Sequence, residues 1–167
     1  MTHGTFLTTH VRLLLRVMSI AACALAIGCA SPPASVTGPG PAMLSAEQSN
    51  DVAIHALGLV GTPYRYGGNT PAGGFDCSGL IGYVYQKSVG QATPRTVARM
   101  AAFGHSVPVS QIRSGDLVLF GAATPSHAGI YVGEGRFVHA PSTGGEVRLD
   151  RLDDVYWSRQ PTQVRRL

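Results

Sequence analysis

Two short runs, His127 to Val132 and Arg136 to Ala140, stand on either side of Gly133-Glu134-Gly135. That is the pattern of a β-hairpin, and its turn constrains the chain more than any other feature. A slip of one residue moves every side chain of a strand to the other face of the sheet. A two-residue turn at Glu134-Gly135 sets His127 and His139 on opposite faces. A three-residue loop, with Gly135 in the left-handed region, pairs Val132 with Arg136 and Gly129 with His139 instead. That register gathers Ala128, Ile130, Val132, Val138 and Ala140 on one apolar face suited to burial. His127 and His139 then share the other face with Tyr131 and Phe137, as diagonal neighbours about 7–8 Å apart or less at Cβ. The three-residue loop is predicted, since only that register puts both histidines on one face.

Other elements follow from period and punctuation. Ser45-Ala46-Glu47-Gln48 reads as a capping box, and Ala53, Ala56, Leu57 and Val60 recur at helical spacing until Gly61 and Pro63 stop the run. After the glycine-rich stretch Gly67 to Gly74, Cys77, Leu80, Ile81 and Val84 stand at i, i+3, i+4 and i+7 on one helix face. A short helix is expected over Thr96 to Phe103, closed by Gly104. Asp116 to Phe120 reads as a buried strand after the Ser114-Gly115 turn, and Glu146 to Leu149 as an edge strand. Helices first and antiparallel strands afterwards predict an α+β domain, N-terminal helices packed on an antiparallel β-sheet.

The N-terminal segment has the pattern of an export signal. Arg12 and Arg16 precede an apolar or small-residue run from Val17 to Gly28, too short for a spanning helix, which needs about 20 residues. Leu25-Ala26-Ile27-Gly28-Cys29 resembles a bacterial lipobox, with Cys29 as the acylated residue; Ile20-Ala21-Ala22-Cys23 is a rival, and plain cleavage without a lipid is the third possibility. Residues 30–44 carry no charge and are rich in Pro, Gly, Ser and Ala, as a tether is. The expected organisation is a signal peptide at 1–28, a tether at 29–44 and one folded domain at 45–167. The absence of Asp after Cys29 predicts an outer-membrane anchor facing the periplasm.

Charge adds an exclusion. The formal net charge is +4, but without Arg12 and Arg16 the remainder holds 11 basic against 9 acidic residues. The arginines are scattered, with no stripe or cluster of the kind a nucleic-acid binder shows.

If Cys23 is removed and Cys29 acylated, Cys77 is the one thiol left in an oxidising compartment, without an internal partner. It is then either an inert packing residue or a nucleophile. At a helix start it meets the positive end of the dipole and unpaired N–H groups, which favour the thiolate and predict a lowered thiol pKa. A thiol nucleophile needs a base within reach and a third group to orient that base. His127 and His139, set on one face, fill those needs.

Taken together, Gly61-Thr62-Pro63-Tyr64-Arg65-Tyr66-Gly67-Gly68, Asp76-Cys77-Ser78-Gly79-Leu80, Gly115-Asp116-Leu117, His127-Ala128-Gly129-Ile130-Tyr131-Val132-Gly133 and Phe137-Val138-His139-Ala140 resemble the NlpC family of papain-like cell-wall peptidases. The motifs occur in family order across Glu47 to Arg166. The resemblance implies the papain-like NlpC fold, with Cys77 as nucleophile, His127 as general base and His139 as orienting residue. It implies a Tyr64 hydroxyl near the oxyanion, and Asp76, Ser78 and Arg95 as cleft residues that touch substrate or brace the loops. It implies peptidoglycan stem peptides as substrate, cut at the D-alanyl-diaminopimelate or the D-glutamyl-diaminopimelate bond by a monomer without metal or other cofactor. Two other readings stay open: Cys77, His127 and His139 as three zinc ligands, and a catalytically inactive wall-binding lipoprotein.

Overall fold

The computed structural model describes residues 43–142 and 145–167. The expected leader, Cys23, Cys29 and all of the tether but Met43 and Leu44 lie outside the described residues. Helix α1 covers Ala46–Leu57. Its capping box is formed: the Gln48 N–H donates to Ser45 Oγ at 3.1 Å, and the Ser45 N–H donates to Gln48 Oε1 at 2.9 Å. The buried residues are Val52, Ala53 and Ala56, whereas Leu57 and Val60 are exposed. The expected apolar stripe therefore ends early. The chain leaves the helix at Gly58, so helical spacing no longer sets where Val60 points.

A two-stranded ribbon, β1 (Asn69–Thr70) and β2 (Gly74–Phe75), leads into α2 (Cys77–Val89). Asp76 caps α2 by accepting the Gly79 N–H at 2.7 Å, and Gly90 ends it in the left-handed region at φ 68. Leu80, Ile81 and Val84 are fully buried along the expected face. Each such side chain stabilises the fold by about 1.5–3 kcal/mol relative to exposure. Helix α3 is shorter than expected, Val97–Met100, with Thr96 at its N-cap and turns replacing its last residues.

Among the described residues the main sheet has six antiparallel strands: β3 (His105–Val107), β4 (Leu117–Phe120), β5 (His127–Gly133), β6 (Arg136–His139), β7 (Arg148–Arg151) and β8 (Thr162–Arg166). Their spatial order is β3-β8-β4-β5-β6-β7. Sequence patterning finds neither β3 nor β8, yet β8 lies between β3 and β4. Thr162-Gln163-Val164-Arg165-Arg166 reads as a polar tail because its long arginines are bound rather than solvated. Arg166 pairs with Asp116 at 2.7 Å, and Arg165 donates to the carbonyls of Phe103 and Gly104 at 3.0 and 2.6 Å. Strand β7 does sit at the edge, but two residues later than expected.

Both faces of the sheet are covered. One packs Leu117, Leu119, Ala128, Ile130, Val138 and Ala140 against α1 and α2. The other carries a smaller cluster of Val118, Phe120, Tyr131, Phe137, Val164 and Trp157.

The hairpin differs from expectation at its tip and agrees with it along its length. Ile130 pairs with Val138 and Tyr131 with Phe137, the predicted register. At the end, however, Gly133 pairs with Arg136, leaving a two-residue turn and a register shift between Tyr131 and Gly133. Glu134 and Gly135 both have positive φ, 51 and 72. Such a turn twists with the strands, and the bulge absorbs the residue that would otherwise flip the histidines to opposite faces.

Candidate active site

Cys77 opens α2 on one wall of a cleft of about 650 Å³, and His127 opens β5 on the other. Tyr64, Asp76, Ser78, Arg95, Ser126 and Pro141 are among the other residues of its lining. The backbone N–H groups of Ser78, Ala128 and Cys77 itself are directed at the sulfur. The thiol of α2 and the start of β5 thus face the same cleft.

The helix start does not make this thiol acidic. Burial, and after it the Asp76 carboxylate, push the Cys77 thiol above its ordinary value, against the pull of those N–H groups. The helix dipole alone predicts a lowered thiol pKa; desolvation of the cleft wall and the acidic cap beside the sulfur reverse it.

His127 and His139 are brought together. His127 Nε2 lies 2.8 Å from His139 Nδ1, with the rings 5.0 Å apart and near perpendicular at 81°. His139 is fully buried. Trp157 stacks on His127 at 5.4 Å and 26° and presents an edge contact to His139 at 5.1 Å and 90°. Phe120 stacks on the His127 ring at 6.2 Å and 24°. This aromatic surround desolvates both imidazoles. Burial, reinforced by the neighbouring His139, takes His127 down to about 3, and burial takes His139 down to about 4 despite an opposing carboxylate. Both rings are neutral at neutral pH.

That carboxylate is Asp150, which sequence reasoning missed. It pairs with Phe137 across β6 and β7, and so falls on the histidine face. Asp150 Oδ2 lies 3.0 Å from His139 Nε2, an ion-pair distance approached at an angle rather than along the N–H direction. The same oxygen accepts from Trp157 Nε1 at 2.8 Å and from Arg148 Nη2 at 2.6 Å. Burial raises the Asp150 carboxyl, but the Arg148 and Trp157 hydrogen bonds outweigh it and hold the group below its ordinary value. A signal did exist: Arg148 and Asp150 alternate with Val147 and Leu149, but an edge strand ending at Leu149 cuts that alternation short.

The other expected residues meet in the cleft. Asp76 binds Arg95 through both oxygens, at 2.6 and 2.9 Å, and accepts Ser78 Oγ at 3.0 Å and the Gly67 N–H at 2.9 Å. Arg95 also reaches Ser78 Oγ, and its side chain stays 45% exposed. Asp76 therefore caps the helix and positions a half-exposed guanidinium at the cleft mouth. Tyr64 is partly buried, and burial, with Cys77 and Asp76 after it, raises its hydroxyl. Among the described residues no cluster of three or more His, Cys, Asp or Glu side chains is arranged to hold a metal ion.

The sequence model of the NlpC/P60 family matches residues 61–166, most of the chain. The chain belongs to the NlpC/P60 family. It is 42% identical over 127 residues to murein DD-endopeptidase MepH of Escherichia coli (strain K12), covering 72% of this chain and 47% of that protein. It is 43% identical over 118 residues to the gamma-DL-glutamyl hydrolase of Bacillus subtilis (strain 168), covering 69% of this chain and 28% of that protein. The chain thus spans about half or less of the length of these NlpC/P60 relatives. Among solved structures it resembles the NlpC/P60 domain of the peptidoglycan hydrolase SagA, with a TM-score of 0.62 at 32% identity, covering 70% of this chain and 97% of that one. The α+β expectation and the NlpC fold both stand.

Proposed function

We propose that this protein is a cysteine endopeptidase that hydrolyses peptide bonds in peptidoglycan stem peptides during cell-wall remodelling. The observation that carries the reading is the join of α2 to β5. Cys77 on α2 and His127 on β5 line one cleft, and the imidazole's Nε2 is held by a second, buried imidazole.

At rest the thiol and His127 are both neutral, so the proton moves as the carbon–sulfur bond forms. His127 takes the thiol proton while Cys77 attacks the peptide carbonyl. The oxyanion is stabilised by the backbone N–H at the helix start and by the Tyr64 hydroxyl. The imidazolium then gives its proton to the leaving amine. Water, deprotonated by His127, hydrolyses the thioester. His139 holds the His127 ring. Asp76, Ser78 and the exposed Arg95 side chain form the polar cleft wall that would meet the charged groups of a stem peptide.

The two relatives are named a murein DD-endopeptidase and a gamma-DL-glutamyl hydrolase. Two bonds are candidates here, D-alanyl-diaminopimelate and D-glutamyl-diaminopimelate. Digestion of purified muropeptides with product identification by mass separates them. Intact muropeptides after incubation with wild-type protein, under conditions where a known peptidase of this family cuts, would refute the reading.

The leader and tether support lipid attachment at Cys29 and an outer-membrane location facing the periplasm. Metabolic labelling with a fatty-acid probe should be lost in Cys29→Ala and kept in Cys23→Ala; labelling that survives Cys29→Ala refutes the anchor.

A further inference from the structure

Three groups stand in file on the sheet, His127, His139 and Asp150, and Cys77 on α2 lines the same cleft as the first of them. His139 uses both its nitrogens in that file. His127 gives Nε2 to His139 Nδ1 at 2.8 Å, which leaves Nδ1 as the ring nitrogen free for the thiol. His139 turns Nε2 toward Asp150 Oδ2 at 3.0 Å. A neutral imidazole carries one N–H and one lone pair, so fixing the proton at one end of the file fixes it everywhere.

The fixed end is Asp150. Trp157 Nε1 and the Arg148 guanidinium both donate to its Oδ2, so the carboxylate is an acceptor there with no proton to offer. A lone pair on His139 Nε2 facing that oxygen at 3.0 Å would be repulsive, whatever the angle. His139 must therefore carry its proton on Nε2, which makes its Nδ1 an acceptor. His127 Nε2 must then be the donor, and its Nδ1 presents a lone pair toward Cys77. With the opposite polarity, His127 would turn an N–H toward the thiol, and its one lone pair, on Nε2, would face His139 and be out of reach of the thiol proton. His139 lies among Phe137, Trp157 and the sheet and is fully buried, so no water can supply the choice in place of Asp150.

We infer that Asp150 is a positioning residue that acts through His139 to set the tautomer of His127, so that the unprotonated nitrogen of the base faces the thiol. Its charge also acts at a distance in favour of the imidazolium that forms during turnover. This assignment rests on the peptidase reading for its consequence in turnover, but not for the tautomers themselves.

The test is long-range proton–nitrogen NMR of the full-length protein labelled with ¹⁵N-histidine, recorded near neutral pH, with the rings assigned by single His→Gln variants. The expected wild-type result is Nε2–H on both His127 and His139. An Nδ1–H signal on His127 overturns the proposal without any variant at Asp150. In Asp150→Ala no acceptor faces His139 Nε2, so both rings should become mixtures of tautomers. kcat on muropeptides should fall by about a hundredfold or more, as a wrong imidazole tautomer does in an intact site, with KM within about twofold. A variant that keeps wild-type tautomers also overturns the proposal, with or without a fall in kcat. If the wild-type protein cuts no muropeptide, the peptidase reading fails, yet the wild-type spectrum still decides the tautomers.

Discussion

His127 Nε2 and His139 Nδ1 meet at 2.8 Å across β5 and β6, and only one of the two rings lines the cleft with Cys77. The two histidines are therefore unequal. His127→Ala removes the base and should abolish measurable turnover. His139→Ala leaves the base in place but unheld, so a folded protein with reduced kcat is expected. Comparable residual activity in the two variants, measured on muropeptides with melting temperatures alongside, would contradict this division of labour.

The thiol makes a separate prediction. Because burial and Asp76 raise Cys77, iodoacetamide should react slowly near neutrality, with a rate whose midpoint lies above the ordinary thiol value of about 8.5. A rate already on its plateau at pH 7 would show a preformed thiolate instead.

Asp76→Asn refines that measurement. Asn caps a helix about as well as Asp, so α2 should keep its start, while the negative charge beside the sulfur disappears. The alkylation midpoint should move to lower pH. Asp76→Ala should in addition cost about 1 kcal/mol of stability from the lost cap. An unmoved midpoint in Asp76→Asn would mean that burial alone sets the thiol.

Acid should act through the histidines. Their ordinary value is 6.5, and in the folded protein they are lowered to about 3 and about 4. Below pH 6.5 the unfolded chain binds protons that the folded one refuses, so stability present above 6.5 is lost as pH falls toward 4. The Asp76 and Asp150 carboxyls, held low by Arg95 and by Arg148 with Trp157, titrate below that window. Urea midpoints should fall between pH 7 and pH 4.5, and fall less in His139→Asn. An unchanged midpoint across that range would refute buried neutral histidines.

Gly129 lies against the partner strand. A Cβ there would stand 2.7 Å from Phe137 Cδ2, 2.8 Å from the Val138 carbonyl oxygen and 3.2 Å from His139 Cβ. Gly129→Ala should destabilise the domain by about 1–3 kcal/mol. It should also reduce kcat at temperatures where the variant remains folded, because β6 carries His139 away from His127. Wild-type kcat in a stable Gly129→Ala protein would show that the histidine pair tolerates a shift in β6.

Local chemistry and periodicity were enough for much of this protein. The capping box of Ser45 and Gln48, the buried stripe behind Cys77 and the two faces of the β5–β6 hairpin depend on residues close in sequence, where spacing translates directly into direction. Even the hairpin succeeded only along its length, since the choice between a three-residue loop and a two-residue turn with a bulge rests on backbone twist that side-chain patterns do not encode.

Long-range pairing decided the rest. Strand β8 is central because its arginines find Asp116 and the carbonyls of Phe103 and Gly104, partners some 50 to 62 residues away. Asp150 becomes part of the histidine file only when β7 pairs in the register that sets it opposite Phe137. The thiol is raised rather than lowered because desolvation depends on what closes over a group, and in a sequence nothing has yet closed. Residue types and local spacing determine which groups are available; which of them share a low-dielectric space, and therefore what charge each carries, is settled only by packing.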